Sequence, residues 1–132
     1  MSDERDISVL LVEPGKKPKL INIKDDLKAY QDMVGGYIEV LYPFEDEVGI
    51  ICNEEGKLIG LPPNRAMFNE NGKAYDIIAG KFLVVGLGEE NFDSLSPLLA
   101  EKYRNKFRYP ERFVMAGDEI KVIHIKPKGL RK

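Results

Sequence analysis

The sequence YDIIAGKFLVV, at residues 75–85, is the most apolar stretch of the chain. A short apolar run that is rich in β-branched residues is typical of a buried strand. We therefore predict that these residues form one strand at the centre of a sheet. The small residues Ala79 and Gly80 interrupt the run, which predicts a kink or bulge in this strand, or a close approach of another part of the backbone.

Shorter segments of strand character lie upstream of this stretch, and all but the second, which leads into a helix, are ended by a turn that contains glycine or proline. The first two of them are close enough in the chain to pair as a hairpin. Residues 64–68 are expected to form one helical turn, and residues 69–73 a hairpin turn that leads into the central strand. The predicted strands cover residues 7–12, 20–24, 37–42, 48–53 and 58–61.

Two helices are predicted from their capping residues and their apolar spacing. The first covers residues 26–34, where Asp25 or Asp26 can accept hydrogen bonds from the free amides of the first turn and Gly35 can end the helix. The second follows the central strand, with Pro97 in its first turn and Asp93 or Ser96 as its cap. Its apolar stripe has a spacing of four residues and consists of Leu95, Leu99, Tyr103 and Phe107.

The chain ends with the apolar residues 113–115, a turn at 117–118 and a final strand at 120–126. The resulting order, β-β-α-β-β-β-β-α-β, predicts an α+β fold in which two helices flank a mixed or mainly antiparallel sheet. Residues 1–132 are expected to form a single domain, with flexible termini at residues 1–6 and 127–132. The whole length is typical of one domain.

Composition and charge indicate the class of protein. The chain of 132 residues is 43% hydrophobic and 32% charged, its N-terminus is polar, and no apolar run approaches the roughly 20 residues of a membrane span. A cytoplasmic protein without membrane contact is therefore expected. The net charge of −2 conceals 10 Lys and Arg against 18 Asp and Glu in residues 1–100, but 10 against 4 in residues 101–132. The basic end either binds an acidic partner or nucleic acid, or lies against the acidic body.

Catalytic and metal sites are not predicted. Cys52 and His124 are the only cysteine and histidine, which excludes a disulfide framework and a four-ligand Cys/His zinc site within one chain. Both lie in apolar segments that favour burial in a sheet. The acidic residues cluster in turns and are interpreted as solvated loop tips. Glu89 and Glu90 follow a Gly-x-Gly sequence and would repel a pyrophosphate group there. We therefore expect no enzymatic activity, metal or cofactor.

The sequence Pro62-Pro63-Asn64-Arg65 is the most suggestive local feature. Two prolines would hold a loop stiff, so that the amide of Asn64 and the guanidinium of Arg65 could bind a small anionic or nucleotide-like ligand with little loss of conformational freedom. Alternatively, Asn64 caps the following turn and Arg65 pairs with a carboxylate. Candidate walls of the ligand site are Tyr37, Tyr42 and Tyr75, which are equally compatible with core positions.

Nucleic-acid binding by the basic C-terminal third is a further alternative. Five basic residues surround the second helix, but the aromatic residues between them belong to its apolar stripe and are expected to face the core, where they cannot stack on bases. The sequence pI of about 5.5 also argues against strong non-specific binding. The basic residues are Lys102, Arg104, Lys106, Arg108 and Arg112.

Several collinear motifs resemble a family of small domains of unknown function carried by phages, plasmids and conjugative elements, mostly of Firmicutes. The resemblance covers roughly residues 7–93 and implies an accessory protein of a mobile element. The resemblance does not assign a catalytic role to any residue of this chain. The motifs are VLLVEPGKKP (residues 9–18), VGGYIE (34–39), YPF (42–44), CNEEGK (52–57), PNRA (63–66) and YDIIAG (75–80), continuing to Gly86.

The leading hypothesis is a non-enzymatic binding protein of a phage or mobile element, with counter-defence as one role, that holds a small anionic ligand near Asn64 and Arg65. An alternative is an inhibitor that binds a host protein through an acidic surface, as DNA mimics do. A third is nucleic-acid binding through residues 102–132. The sequence leaves a homodimer open.

Overall fold

The central sheet determines the architecture of the protein. In the computed structural model, which describes residues 5–126, its strands lie in the order β2-β1-β7-β4-β3, with the short β8 paired to β7. All its strand pairs are antiparallel. The elements are β1 (Asp6–Val12), β2 (Lys19–Lys24), α1 (Leu27–Val34), β3 (Ile38–Leu41), β4 (Val48–Asn53), β5 (Pro63–Phe68), β6 (Ala74–Ala79), β7 (Phe82–Leu87), β8 (Phe92–Asp93), α2 (Pro97–Lys106), β9 (Glu111–Ala116) and β10 (Glu119–His124).

Both faces of this sheet are covered. Side chains alternate along β1, so that Val9 and Leu11 face α1 while Leu10 and Val12 face α2. In β7, Leu83 belongs to the α1 side and Phe82 and Val84 to the α2 side. Met67 of β5 and Ile78 of β6 complete the core on the α2 side. The predicted α+β fold with two flanking helices is confirmed.

The apolar stretch at residues 75–85 forms two strands, so the prediction of one central strand is wrong. Only β7 belongs to the central sheet, whereas β6 pairs with β5 in a separate two-stranded sheet. The chain changes sheet at Gly80, whose φ of 86° is unfavourable for residues with a side chain and whose amide donates to the carbonyl of Pro62 at 2.7 Å. The interruption was therefore predicted at the right place, but it separates two strands and is not a kink within one strand.

Two further local predictions, for residues 58–61 and for residues 64–68, are wrong. Residues 58–61 do not form a strand, because the segment after β4 makes a series of turns at residues 54–60. Residues 64–68 do not form a helical turn, because β5 occupies this segment and pairs with β6 through the predicted turn at 69–73. In the first segment local backbone hydrogen bonds, such as that from the amide of Ile59 to the carbonyl of Glu55, hold the turns. In the second, pairing with β6, which local sequence does not specify, determines the conformation.

The predicted helix ends are confirmed. Asp26 caps α1 by accepting from the amide of Ala29 at 2.8 Å, and Gly35 ends the helix with a φ of 84°. Ser96 caps α2 by accepting from the amide of Leu99, and Pro97 occupies the first turn. The apolar stripe of α2 faces the core, where Tyr103 and Phe107 are each 2% exposed.

The C-terminal strands β9 and β10 form a hairpin sheet of their own that contacts β5 and β6. Opposite residues in its register share a face, so Ile120, Val122 and His124 lie on one face and Lys121 and Ile123 on the other, as the alternation predicted. The proposed flexible termini at 1–4 and 127–132 lie outside the described residues. Residues 5–6 belong to the fold, since Asp6 begins β1 and the guanidinium of Arg5 donates to Asp25 at 2.8 Å.

Candidate functional site at the open edge of the central sheet

The predicted ligand-binding pair Asn64 and Arg65 lies in the interior, where the two side chains are 1% and 0% exposed. The amide of Asn64 donates to the carbonyls of Val12 at 3.0 Å and Gly80 at 2.8 Å. The guanidinium of Arg65 donates to the carbonyl of Phe107 at 2.8 Å and to the side-chain oxygen of Asn64 at 2.8 Å. The expectation that a stiff loop presents this pair to solvent is therefore wrong.

Arg65 joins segments that are distant in the chain. It also donates to the carbonyl of Lys16 at 2.7 Å, which links the β1–β2 turn to the end of α2. The expected alternative, an ion pair with a carboxylate, is not formed either, because its hydrogen-bond partners are carbonyl oxygens and an amide. Burial lowers the pKa of the Arg65 guanidinium. Among the described residues no buried side-chain nitrogen or oxygen lacks a partner, so the pair is satisfied internally.

Glu111 attaches the C-terminal hairpin beside this pair. Its carboxylate accepts from the amide of Ala66 at 2.9 Å and lies 3.3 Å from Nε2 of His124. Burial raises the pKa of the Glu111 carboxyl, although the Ala66 amide and His124 oppose the shift. The His124 side chain is 44% exposed, so the expectation of a buried histidine is wrong, whereas Cys52 is buried on β4 as expected.

The three predicted tyrosines do not form one pocket with Asn64 and Arg65. Tyr37 and Tyr42 lie at the two ends of β3 and are 69% and 63% exposed. Tyr75 is also exposed, but it lies on β6 in the second sheet. The structure thus keeps Asn64 and Arg65 adjacent in the interior and places Tyr37 and Tyr42 at opposite ends of an edge strand, so the five predicted residues do not form one site.

The strand β3 is an open edge. It pairs with β4 on one side and with no other strand of the described chain on its other side. Apart from that pairing, no described residue forms a hydrogen bond to the backbone of Ile38–Leu41. An edge strand therefore presents backbone donors and acceptors that a further strand can use.

A hollow of about 440 Å³ lies beside β3 on the side of the sheet that α1 covers. We call it the Asp25 hollow. Ile38 and Tyr42 line it from β3, and its polar lining is acidic, with Asp25, Asp26, Glu89 and Glu90. Asp25 is engaged internally, since it accepts from the Tyr30 hydroxyl at 2.5 Å and from Arg5. Burial and this hydrogen bond raise the pKa of Tyr30 above its ordinary value.

A second hollow of about 340 Å³, which we call the Cys52 hollow, lies beside β3 on the opposite side of the sheet. Glu39 and Leu41 line it from β3, and it also holds Glu54, Glu55 and Asp76. Among the described residues that line it, Lys57 is the only basic one, and it pairs with Asp76. Burial raises the pKa of the Cys52 thiol to about 11, and the negative charges of Glu39 and Asp76 add to the shift.

Six carboxylates of these hollows form no ion pair with a described residue, and one of them, Asp26, caps α1. They make the region strongly negative, since clefts lined by one sign of charge concentrate its potential. Sequence reasoning treated Glu54 and Glu55 as a solvated loop tip, and Glu89 and Glu90 as part of a glycine turn that would repel a pyrophosphate group. In the sequence, Glu54-Glu55 and Glu89-Glu90 each closely follow a predicted strand, which could have indicated that they lie at one sheet. Their position relative to β3 depends on the strand order, which the sequence does not show. We define the acidic edge as β3 with Glu39, Glu54, Glu55, Glu89 and Glu90.

Most of the described basic residues of the C-terminal third form no ion pair with the acidic body. Among its described basic residues, only Lys102 pairs with a carboxylate of the body, at 2.6 Å from Asp46. This contact and the Tyr103 hydroxyl lower the pKa of Asp46. The basic residues that form no ion pair with a described residue are Arg104, Lys106, Arg108, Arg112 and Lys126.

Residues 5–126 also bear on metal binding and membrane crossing. No group of three or more His, Cys, Asp or Glu side chains has a geometry suited to a metal ion in this range. No helix of this part of the chain is long and apolar enough to cross a membrane. The acidic edge is therefore the principal candidate site that the described residues form.

Comparison with known proteins identifies the family. No curated protein and no solved structure matches the chain. One protein family, described as a domain of unknown function (DUF3846), matches residues 7–108. The match spans the central sheet, both helices and the β5–β6 hairpin, and it ends before the β9–β10 hairpin. Because the matched region is most of the chain, the protein belongs to the DUF3846 family.

Proposed function

We propose that the protein is a non-enzymatic binding protein that holds a basic partner protein on its acidic edge. The observation that supports this function is the position of β3, an open strand between two carboxylate-lined hollows. Exposed Tyr37 and Tyr42 at the ends of the strand add aromatic surface of the kind enriched in protein interfaces.

The same geometry makes a small anion a poor occupant of these hollows. An anion in the Asp25 hollow would face Glu89 and Glu90, and none of the described residues that line the cavity is a lysine or arginine. Like charges at close range repel, and the repulsion grows in a cavity that is partly shielded from water. A cationic surface of a partner would instead gain attraction and faster association.

The biological setting that we propose is that of a cytoplasmic accessory protein of a phage or other mobile element. The resemblance of the sequence motifs to proteins carried by such elements supports it. An acidic protein that occupies a basic host surface, as DNA mimics do, is suited to counter-defence against a nucleic-acid-binding protein, because such proteins bind through basic surfaces.

A pair of charge-matched variants tests the proposed function. The edge variant carries Glu54→Gln, Glu89→Gln and Glu90→Gln, and the control variant carries Glu70→Gln, Glu101→Gln and Asp118→Asn, which are exposed carboxylates elsewhere. Each loses three negative charges. Both variants and the unmodified protein are used to capture proteins from a Firmicutes lysate, and each captured protein is then purified and titrated by calorimetry.

The proposal expects a captured protein with a basic surface that binds the unmodified protein and the control variant but binds the edge variant at least tenfold more weakly. A lysate from which no protein distinguishes the edge variant from the control variant would overturn it.

Binding of nucleic acid is a second candidate function, supported by the open basic residues of the C-terminal third. Arg104, Lys106 and Arg108 form no ion pair with a described residue and are exposed. However, Tyr103 and Phe107 are buried, so contacts to phosphates would provide the affinity. A mobility-shift series with duplex DNA and with RNA, from low to physiological salt, tests this candidate. Steep salt dependence that is reduced in an Arg104→Gln, Arg108→Gln variant supports it, and no shift at the lowest salt refutes it.

A further inference from the structure

We infer that the partner contributes an extended segment with adjacent basic residues, which pairs with β3 as an additional strand of the central sheet. The inference rests on the proposed function and adds to it the form of the partner and the way in which it binds. Three features of β3 carry it: its unpaired backbone, the hollows on its two sides, and its charge.

The backbone of β3 is available for pairing. Its four residues, Ile38–Leu41, pair with Asn53 to Ile50 of β4, and no other described residue forms a hydrogen bond to their backbone. Extended peptides bind many proteins by adding to such a sheet edge, because the main chain then supplies regular hydrogen bonds. Proteins often block edge strands with lysine, proline or a bulge. Within its four residues, β3 has no lysine or proline.

Side-chain alternation determines what the added strand must carry. Ile38 lines the Asp25 hollow and Glu39 lines the Cys52 hollow, so successive residues of β3 open onto opposite sides of the sheet. The side chains of a paired strand alternate in the same way. Two adjacent residues of the partner would therefore point towards different hollows. Since both hollows are acidic, the segment that fits best has a basic residue at each of two neighbouring positions.

The length of lysine and arginine suits this arrangement. A paired strand lies about 4.8 Å from β3, and long cationic side chains can extend from it over apolar surface towards carboxylates. Tyr37 and Tyr42, at either end of β3, are exposed and offer ring faces to the cationic groups that flank the pair. The open carboxylates Glu54, Glu89 and Glu90 would be neutralised by the segment.

The charge of β3 also argues against a second copy of this strand as the occupant. Antiparallel pairing of two β3 strands would bring the negatively charged edges of two molecules together, and Glu39 would approach its own copy. Like charges on opposed strands are destabilising. The other edge of the sheet, β2, has Lys19 and Lys24 at its ends, a feature typical of a protected edge. These differences favour a basic segment of another protein.

A defined peptide tests the inference independently of any captured protein. The probe is the octapeptide Thr-Val-Lys-Arg-Lys-Arg-Val-Thr with blocked ends. Its matched control is the same peptide with N-methyl groups on the four central amides, which keeps every charge but prevents strand pairing in any register. Binding is measured by calorimetry, and backbone protection at residues 38–41 by hydrogen exchange of the full-length protein.

We expect the unmodified peptide to bind at least tenfold more tightly than the N-methylated peptide and to slow amide exchange within residues 38–41. We also expect the edge variant defined above to bind it at least tenfold more weakly, and the control variant to bind it as the unmodified protein does.

Equal binding of the two peptides, with no change in exchange at residues 38–41, would overturn strand addition and leave the proposed acidic binding surface intact. Strand addition would also be overturned if neither peptide bound. The proposed function is tested separately, by the capture of a partner protein from the lysate and its titration. Protection of residues 38–41 that rises with protein concentration alone, accompanied by dimers in sedimentation, would identify a second copy as the occupant and would overturn the inference.

Discussion

Arg65 carries its charge in the interior, where its guanidinium donates to the carbonyls of Phe107 and Lys16. Next to two prolines, this arginine and Asn64 have the residue types of an anion-binding loop, and the sequence gives no local sign of their burial. Their partners are 16 to 52 residues away in the chain. Because these contacts depend on the assembled fold, the interior role could not be predicted from neighbouring residues.

Replacement of Arg65 by methionine should destabilise the protein by about 3 kcal/mol, because the buried carbonyl oxygen of Phe107 and the buried side-chain oxygen of Asn64 lose their donor and each unsatisfied group costs roughly 1–3 kcal/mol. Arg112→Met is the control, since Arg112 is exposed and forms no ion pair with a described residue. Urea unfolding measures both. A change of less than about 0.5 kcal/mol for Arg65→Met, as expected for a surface substitution, would contradict the buried network.

The thiol of Cys52 should be unreactive in the folded protein. Its pKa is raised from 9.0 to about 11 by burial, with a contribution from Glu39. This shift alone lowers the reactive thiolate fraction at pH 8 by about 100-fold, since each pKa unit is a factor of ten. Alkylation with iodoacetamide in buffer and in urea measures the difference. Glu39→Gln should accelerate the folded reaction and Glu70→Gln should not; equal rates in buffer and urea would refute the prediction.

The strands β6 and β7 show what a local pattern can determine about an element. The apolar run at residues 75–85 correctly predicted extended structure and an interruption at Ala79 and Gly80. It did not reveal that the two halves belong to different sheets, because apolar character is the same in both. The first four strands and both helices were predicted well, since caps, turns and alternation are local signals. Residues 64–68 were not, because strand pairing with β6 overrides their local preference.

Gly80→Ala should destabilise the protein more than Gly72→Ala. Both glycines have positive φ, at 86° and 80°, so each substitution carries a backbone cost of roughly 1–2 kcal/mol. At Gly80 an added Cβ would also lie 2.6 Å from a methyl carbon of Leu61, whereas at Gly72 it meets open space. Thermal unfolding of the two variants measures the difference. Equal losses would show that the junction between β6 and β7 is not tightly packed.

The molecule as a whole consists of a covered central sheet, a second hairpin on its α2 side and a C-terminal hairpin attached through Glu111. That it forms one small α+β domain could be predicted from the sequence, because the length and the order of elements limit the architecture. The acidic edge did not, since Glu54 and Glu89 follow different strands and only the strand order shows how both relate to β3. The expected burial of Tyr103 and Phe107 is confirmed.

Hydrogen exchange should distinguish the parts of the molecule. Strands β1, β4 and β7 are buried and paired on both sides, so their amides should exchange only when the whole protein unfolds. The hairpin of β9 and β10 is largely exposed and its sheet has only two strands, so it should exchange through local opening and much faster. Mass spectrometry of peptic fragments measures both. Equal protection of β7 and β10 would contradict this order.

The contacts of Arg65 also bear on how long the protein remains folded. They join residues that are 42 and 49 positions apart, and contacts across such long loops form late in folding because loop closure must precede them. Interactions that are absent from the folding transition state act mainly on the rate of unfolding. We therefore expect Arg65→Met to increase the unfolding rate and to leave the refolding rate unchanged. This single side chain would then contribute to the kinetic stability of the folded protein.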